Sequence, residues 1–554
     1  MRTMKAELVQ KIQKTLEKLG VAAGNVSLDV PGNNTHGDYA TGVALAVAKQ
    51  AGMPPRATAE KIVAELGTIK GVEKIEIAGP GFINFFLSTQ ALVEAVAGAR
   101  TNEWGRGNFL KDKTILCEYT DPNPFKAFHI GHLMSNTIGE SLARLCESQG
   151  ATVVRANYQG DLGVHVACAI WGIKKLGIHP ESADEFGAAY AAGATAYKED
   201  ETAKTQIDAL NKKLYDRSDA ELNELYDSGR KASLDAFEAI YAILGTKFNR
   251  YYFESETAPV GKEIVLAHPE IFPESDGARV FKGEDYGLHT RVFLNKQGLP
   301  TYEAKELGLE KMKQDEYPHS EKFIIVTANE ITEYFKVLKK AMEQVLPSVA
   351  AKLLHVPHGM MKLQSGKMSS RTGSVITGES LLGELKDAAL ERAKESRAEN
   401  HELLAQQIAV AAIKFQVLKG GTSKDIIFDR ERSLSLEGDS GPYLQYAHAR
   451  CTSLLEKGKS VGITPVIDAF GVMPDFVRHL VHFPEVVERA ASEYEPHHVA
   501  TFLIELASQF NAWYAQEKIM DTPDTAHKLA LVDAVRQTLQ NGLWVLGISA
   551  PEKM

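Results

Sequence analysis

Apolar positions along the chain change their period several times, and each change marks an element. Between Ala6 and Leu19 they recur at helical spacing. After the turn-rich stretch Pro31 to Asp38, the run Tyr39 to Ala48 reads as a compact apolar helix. Ile75 to Leu87 holds two apolar segments about Gly79-Pro80-Gly81, the pattern of a strand, a tight turn and a second strand. Residues 1–110 therefore form a separate α+β module. Thr101 to Lys113 is polar and Gly-rich, and reads as a linker.

Thr114 to Thr120 reads as a buried strand. Ile138, Leu142 and Leu145 then fall at helical spacing before Gly150 supplies a stop, and Ala151 to Gln159 gives a second strand. Strand, helix, strand predicts a parallel sheet. From about residue 175 to 245 the text turns to Ala, Glu, Lys and Asp in long helical stretches, Ala203 to Tyr215 and Ala220 to Leu244, which reads as a helical insertion. The second half of the nucleotide-binding fold resumes at Phe248 to Phe253, continues with Thr301 to Gly308 and Phe323 to Glu330, includes a strand from Leu353 that ends near Gly359, and closes at the Lys367 loop. Residues 111–400 thus read as one Rossmann-type domain. Residues 401–554 are mainly helical. In Pro442 to Leu455 an apolar stripe of Leu444, Ala447, Cys451 and Leu454 leaves Tyr443, Tyr446 and Arg450 on another face.

Composition narrows the class without choosing a function. With 554 residues the chain needs several cores, and 44% apolar and 24% charged residues are ordinary for a water-soluble protein. The charged start Met1 to Gln10 has no apolar segment of signal or membrane type, so a cytoplasmic address is expected. Cys117, Cys146, Cys168 and Cys451 are widely spaced, which speaks against a zinc site or a disulfide framework; all four are expected to be reduced core residues. A net charge of −10 does not advertise nucleic-acid binding, although local basic patches suffice for it.

Two stretches carry chemistry. His129-Ile-Gly-His132 sits where strand becomes helix, and a helix start attracts phosphate through its free N–H groups. Gly131 lets a flat ligand approach the backbone, and both imidazoles can donate to phosphate oxygens. Downstream, Gly366-Lys-Met-Ser-Ser-Arg-Thr-Gly373 is a polar, basic, glycine-bounded loop able to fold over a triphosphate. Each alone has an ordinary reading as surface loop; together they point to a nucleotide site.

The pair resembles the HIGH signature and a KMSKS variant of class I aminoacyl-tRNA synthetases. Asp121-Pro-Asn-Pro124 and Ser440-Gly-Pro-Tyr-Leu-Gln-Tyr-Ala-His-Ala-Arg450 narrow the resemblance to arginyl-tRNA synthetases, over essentially the whole chain. The resemblance implies a ligase that activates L-arginine with ATP and transfers it to tRNA(Arg), with Mg²⁺ accompanying ATP and no zinc. It also implies an N-terminal domain that touches tRNA, a helical domain that binds the anticodon, and a C-terminal tail packed back onto that domain; the expected state is a monomer.

By the same resemblance, the catalytic residues are His129, His132, Lys126 and Lys367. ATP is met by Pro122, His129, Gly131, His132, Gly359, Met360, Lys367, Met368, Ser369 and Ser370. Arginine is met by Glu118, Asn123, His132, Tyr302, Glu306 and Glu330, with Asn329 as an alternative to the last. The tRNA is met by Asn84, beside Phe82 and Phe85, and by Tyr443, Tyr446 and Tyr514. A guanidinium cannot be neutralised, so carboxylates must face it.

Three positions depart from the family pattern. Glu306 stands where Asp is expected, Ser370 where a lysine stabilises the leaving pyrophosphate, and Leu162 where Trp is common. Lys126, three residues before His129, is positioned to supply the missing charge. Competing readings are a synthetase for another amino acid, a small-molecule nucleotidyltransferase, and a catalytically idle paralogue that binds RNA.

Overall fold

Helix α1 (Met4–Lys18) buries Leu8, Ile12, Thr15 and Leu16, the stripe of an amphipathic helix. In the computed structural model, which describes residues 4–22, 24, 26–180, 183–363, 377–468 and 473–554, that stripe shares a core with a small antiparallel sheet. The module contains β1 (Tyr39–Thr41), α2 (Val43–Ala51), α3 (Pro55–Leu66), β2 (Val72–Ala78), β3 (Phe82–Leu87) and α4 (Thr89–Ala99), with strand order β1-β3-β2. Gly79 and Gly81, both at positive φ, close the expected turn between β2 and β3. The helix anticipated from Tyr39 starts only at Val43. Tyr39 to Thr41 instead pair with Phe85 to Ile83, a partnership distant in sequence that local periodicity does not report.

The central region is doubly wound. Strand β4 (Thr114–Glu118) leads to α5 (Ile130–Ser148) and β5 (Thr152–Gln159). Helices α6 (Val164–Leu176), α7 (Ala183–Glu199), α8 (Glu201–Asp216) and α9 (Ala220–Leu244) form the insertion and bury a core of their own. Then come β6 (Arg250–Phe253), α10 (Glu254–Ala267) and a three-stranded antiparallel sheet of β7 (Glu274–Ser275), β8 (Ala278–Phe281) and β9 (Arg291–Leu294). Helix α11 (Tyr302–Glu316), β10 (Ser320–Ala328), α12 (Thr332–Val345), α13 (Pro347–Lys352) and β11 (Leu353–His358) complete it. The main sheet runs β11-β10-β4-β5-β6 with every neighbouring pair parallel. Both its faces are covered, so Ile115 to Cys117 and Phe323 to Val326 are buried without alternation. The winding reverses between β4 and β10, and ligands of such sheets bind beyond the strand ends at that point.

Past β12 (Met361–Leu363) the chain is helical: α14 (Gly378–Ala393), α15 (His401–Leu418), then the short β13 (Ile426–Phe428) parallel to β12, and α16 (Arg430–Ser433). Helices α17 (Gly441–Ser460), α18 (Asp475–Leu480), α19 (Phe483–Glu493), α20 (His497–Gln516) and α21 (Thr525–Val545) follow. The hydroxyl of Ser440 accepts from the Tyr443 N–H and caps α17, with Pro442 in the first turn. Among the described residues no helix is long and apolar enough to cross a membrane, and all four cysteines are free and buried.

Polar clips join the three regions. The Arg478 guanidinium holds Asp38 at 2.7 Å, and the Tyr39 hydroxyl donates to Glu485 at 2.6 Å, so the N-terminal module is tied to α18 and α19 beside a cleft of about 1350 Å³. The C-terminal tail reaches further than the helical domain. Ser141 and Arg144 of α5 donate to the carbonyls of Val545 and Trp544, both at 3.0 Å. The fully buried Lys414 ammonium donates to Leu244 at 2.6 Å and Gly547 at 2.8 Å, and burial pushes it down to about 7.

Candidate active site

The turn from β4 to α5 is strained and held from several sides. Thr120, Asp121 and Phe125 have φ of 82°, 47° and 64°, conformations that non-glycine residues keep only when their surroundings over-determine them. The Phe125 N–H donates to Ser233 of the insertion at 3.0 Å, and its ring packs on Phe186 and Tyr226. The Thr120 N–H donates to the Ser135 hydroxyl, which donates to the Val326 carbonyl of β10, both at 2.9 Å.

His129 and His132 follow this turn, stacked with centroids 3.6 Å apart and planes 16° from parallel. The His129 N–H donates to His132 Nδ1 at 3.1 Å, so that nitrogen is an acceptor and the remaining ring proton sits on Nε2. Burial first, then the Lys126 charge for His129 and the His129 and Lys126 charges for His132, hold both imidazoles below the usual histidine range. They are neutral donors at neutral pH. A Cβ on residue 131 would lie 3.0 Å from the His129 ring, so glycine keeps the pair approachable. The Lys126 ammonium stands 4.7 Å from the Tyr190 ring centroid, where desolvation lowers it.

Pro122 is buried in the turn. Gly359 packs on the Lys424 carbonyl with no room for a side chain, and Met360 donates its N–H to Asp425 at 2.9 Å. Lys367, Met368, Ser369, Ser370 and Arg371 lie outside the described residues. Thr377, the first described residue after them, bridges His129, and the Gly378 N–H donates to the Phe128 carbonyl at 2.6 Å. The described chain therefore resumes, at Thr377, beside the imidazoles.

Beneath this edge lies a buried charge cluster. Glu118, at the end of β4, is 2% exposed, and its Oε2 lies 2.5 Å from the ammonium of Lys313, which is completely buried. Lys313 also pairs with Glu310 one turn earlier on α11. Glu306, a further turn back, is buried with Oε1 lacking a hydrogen-bond partner. Burial, then the Glu118 charge, raise the Glu306 carboxyl well above the carboxylate range, and the same two causes raise Asp121. Asn123 accepts from the Gly160 N–H at 2.9 Å. Beside it a second buried pair, Lys305 and Glu254, closes at 2.7 Å, and Lys305 also donates to Leu162 O at 3.3 Å. Tyr302 is exposed, with Lys305 5.3 Å from its ring centroid. Glu330 is exposed on the turn Asn329–Ile331 beyond β10.

A different surface forms on α17 and α20. Leu444, Ala447, Cys451 and Leu454 are buried, while Tyr443, Tyr446 and Arg450 are half-exposed. The Arg450 guanidinium lies 4.9 Å from the Tyr446 ring centroid and 5.1 Å from that of Tyr514, and it donates to Asn511 at 2.5 Å. Asn511 in turn donates to the Tyr443 hydroxyl at 2.9 Å. In the N-terminal module Asn84 and Phe85 are buried in β3, and Phe82 is exposed.

Family models match the chain in three consecutive segments. The arginyl tRNA synthetase N-terminal domain matches residues 6–87, the class I (R) tRNA synthetase catalytic domain 99–430, and the DALR anticodon binding domain 444–554. The chain belongs to the arginyl-tRNA synthetases. The arginine–tRNA ligase of Clostridioides difficile is 30% identical over 100% of both chains, and that of Lactococcus lactis (strain IL1403) is 32% identical over 97% of each. The arginyl-tRNA synthetase of Thermus thermophilus has a TM-score of 0.84 at 26% identity, covering 99% of this chain and 100% of its own. That of Plasmodium falciparum, at 19% identity and a TM-score of 0.81, shows the shared fold.

As an arginyl-tRNA synthetase, the chain brings His129, His132, Lys126, Glu118, Asn123 and Glu306 around one end of the sheet, while Glu330 lies exposed beyond β10. Sequence reasoning singled out Asp121 only as part of a motif and gave no role to Glu254, Lys305, Glu310 or Lys313. The one signal for Glu310 and Lys313 is the spacing Glu306, Glu310, Lys313, which puts three charges on one helix stripe. Such a stripe ordinarily faces water, and only its packing against β4 reveals otherwise.

Proposed function

We propose that this arginyl-tRNA synthetase works in two steps. Arginine attacks the α-phosphate of ATP to give arginyl-adenylate and pyrophosphate, and the terminal ribose of tRNA(Arg) then takes the arginyl group. The observation that carries the reading is the buried Glu118 and Glu306 pair just beyond two stacked, neutral imidazoles: a cation-demanding pocket next to phosphate donors.

Glu118 and Glu306 meet the guanidinium, and Asn123 and His132 meet the main-chain groups, with Tyr302 and Glu330 at the mouth. His129, His132 and Lys367 donate to phosphate oxygens whose charge grows in the transition state, and Lys126 supplies the charge that Ser370 lacks. Pro122, Gly131, Gly359 and Met360 line the adenosine, and Met368, Ser369 and Ser370 close over the triphosphate. Mg²⁺ arrives on ATP, held by phosphate oxygens. Tyr443, Tyr446 and Tyr514 offer stacking surfaces to the anticodon. The hairpin holding Asn84 and the exposed Phe82 meets another part of the tRNA. Residues 1–110, 111–400 and 401–554 divide this work, in a cytoplasmic monomer.

The test is ATP–pyrophosphate exchange with arginine, tRNA(Arg) added or omitted, and canavanine, lysine and glutamine as competitors. Exchange that needs arginine supports the reading, and a further need for tRNA reveals coupling between the sites. No exchange with any amino acid, despite tRNA binding, would overturn it in favour of an RNA-binding paralogue.

A further inference from the structure

Three buried carboxyls, Glu118, Glu306 and Glu310, share one buried ammonium, and the half-buried Asp121, which accepts from the Tyr158 N–H at 2.8 Å, stands near them. Glu118 and Glu310 touch Lys313, Glu306 lies two turns before it on α11, and Asp121 follows Glu118 by three residues. Glu306 Oε1 and Glu310 Oε2 are buried without hydrogen-bond partners among the described residues. A single ammonium cannot compensate three ionised carboxylates out of water, because uncompensated buried charge is too costly. Resting on the reading of Glu118 and Glu306 as side-chain recognisers, we propose that the pocket takes up the guanidinium in exchange for a proton, with Lys313 as the positioning cation that sets the balance.

The guanidinium cannot give up its own proton, so the proton that leaves must come from a cage carboxyl and pass to water. Glu306 and Asp121 are held well above the carboxylate range and Glu310 is also raised, in each case by burial first. Among the described residues the other elements around the cage offer no uncommitted cation: Arg291, 5.9 Å from the Tyr334 ring centroid, pairs with Glu303 at 3.5 Å. Tyr158 of β5, Tyr252 of β6 and Tyr334 of α12 face it with phenols that are themselves raised by burial, and Ile325, the β10 neighbour of Glu118, has no charge. Glu254 adds negative charge near Tyr158, and the Lys305 ammonium is committed to Glu254. The arriving guanidinium is then the second cation. Once it is in place, a carboxyl that was neutral in the empty pocket ionises.

The sign of the linkage follows. The empty pocket binds more protons than the occupied one, so arginine affinity rises with pH below the raised carboxyl and levels off above it, with a slope of at most ~10-fold per pH unit. Removing Glu310 frees Lys313 to compensate Glu118 and Glu306, so the proton is held less tightly and the rise moves to lower pH. Removing Lys313 does the opposite. A purely structural role would move both variants in the same direction.

The experiment is calorimetric titration of arginine into the full chain in two buffers of different ionisation enthalpy, repeated over a pH series for the wild type, Glu310→Gln and Lys313→Met. Release of close to one proton per arginine, with opposite shifts in the two variants, is the expected result. No proton release by the wild type overturns the proposal, and so do variant shifts of the same sign. If Lys313→Met does not fold, the wild-type proton count and the Glu310→Gln shift still decide. Loss of this linkage leaves arginine-dependent pyrophosphate exchange intact, whereas loss of exchange would reject the underlying reading, so the two failures are distinguishable.

Discussion

The cage around Lys313 and the face around Arg450 each surround one cation, and they differ in their access to water. Lys313 is fully buried among carboxylates on α11 and β4, whereas Arg450 is half-exposed between the rings of Tyr446 and Tyr514. Charge attraction is strong only where water is excluded, so a small ligand of fixed charge is best met by the first arrangement. A long polyanion with flat bases needs reachable rings and a guanidinium, which is the second. On the proposed function, one chain keeps its small-molecule selectivity dry and its RNA contacts wet.

The comparison breaks first at Glu118. Glu118→Gln removes a carboxylate proposed to meet the guanidinium, and loss of one partner of a buried charge pair costs about 2–5 kcal/mol of binding, roughly 30-fold or more. The expected result is a rise of that size in the arginine KM of pyrophosphate exchange, with the KM for ATP little changed; equal changes in both would sink the division of roles. Lys126→Ala should lower the rate of exchange by roughly 100-fold, the scale of one transition-state donor, with little effect on the arginine KM. Unimpaired adenylate formation would reject Lys126 as the substitute for the missing lysine.

On the wet side the effects are smaller. Tyr446→Ala should raise the tRNA KM by roughly 10-fold, corresponding to about 1–3 kcal/mol per stacked base, and leave the arginine KM alone. The smallest effect at neutral pH belongs to the buried side of the same helix. The His448 imidazole contacts the Pro551 carbonyl at 2.9 Å and is lowered by burial to about 4, as are His355 and His479, while His165 is lowered to about 3. These groups fold neutral and are protonated more readily when unfolded. Their stabilisation is therefore complete above about pH 6.5 and is lost as pH falls toward 4. Melting temperature should be flat above neutrality and drop steeply on acidification, and His448→Gln should soften that drop. A melting temperature independent of pH between those limits would contradict the burial argument.

Much of this was legible in the chain. The switch from a continuous apolar run to helical period around Pro122 and Pro124 marks β4 and α5, and with them the location of His129 and His132. The apolar stripe of α17 likewise assigns Tyr443 and Tyr446 to the free face. What was illegible depends on distant partners. Tyr39 to Thr41 look helical because their strand partner lies beyond Gly81. Glu310 and Lys313 look solvated because nothing local says that α11 turns its charged side toward β4. Glu254 and Lys305 are buried only because α10 and α11 lie side by side.

The clip between α5 and the tail bears on how the protein is made. The helix that begins at His129 is synthesised early, yet Trp544, Val545 and Gly547 supply acceptors to Ser141, Arg144 and Lys414 beside it. A nascent chain that has reached only residue 540 holds the whole parallel sheet and still lacks those braces. The last turn of α21 thus acts as a brace on α5, and its loss is expected to loosen the helix that follows His129.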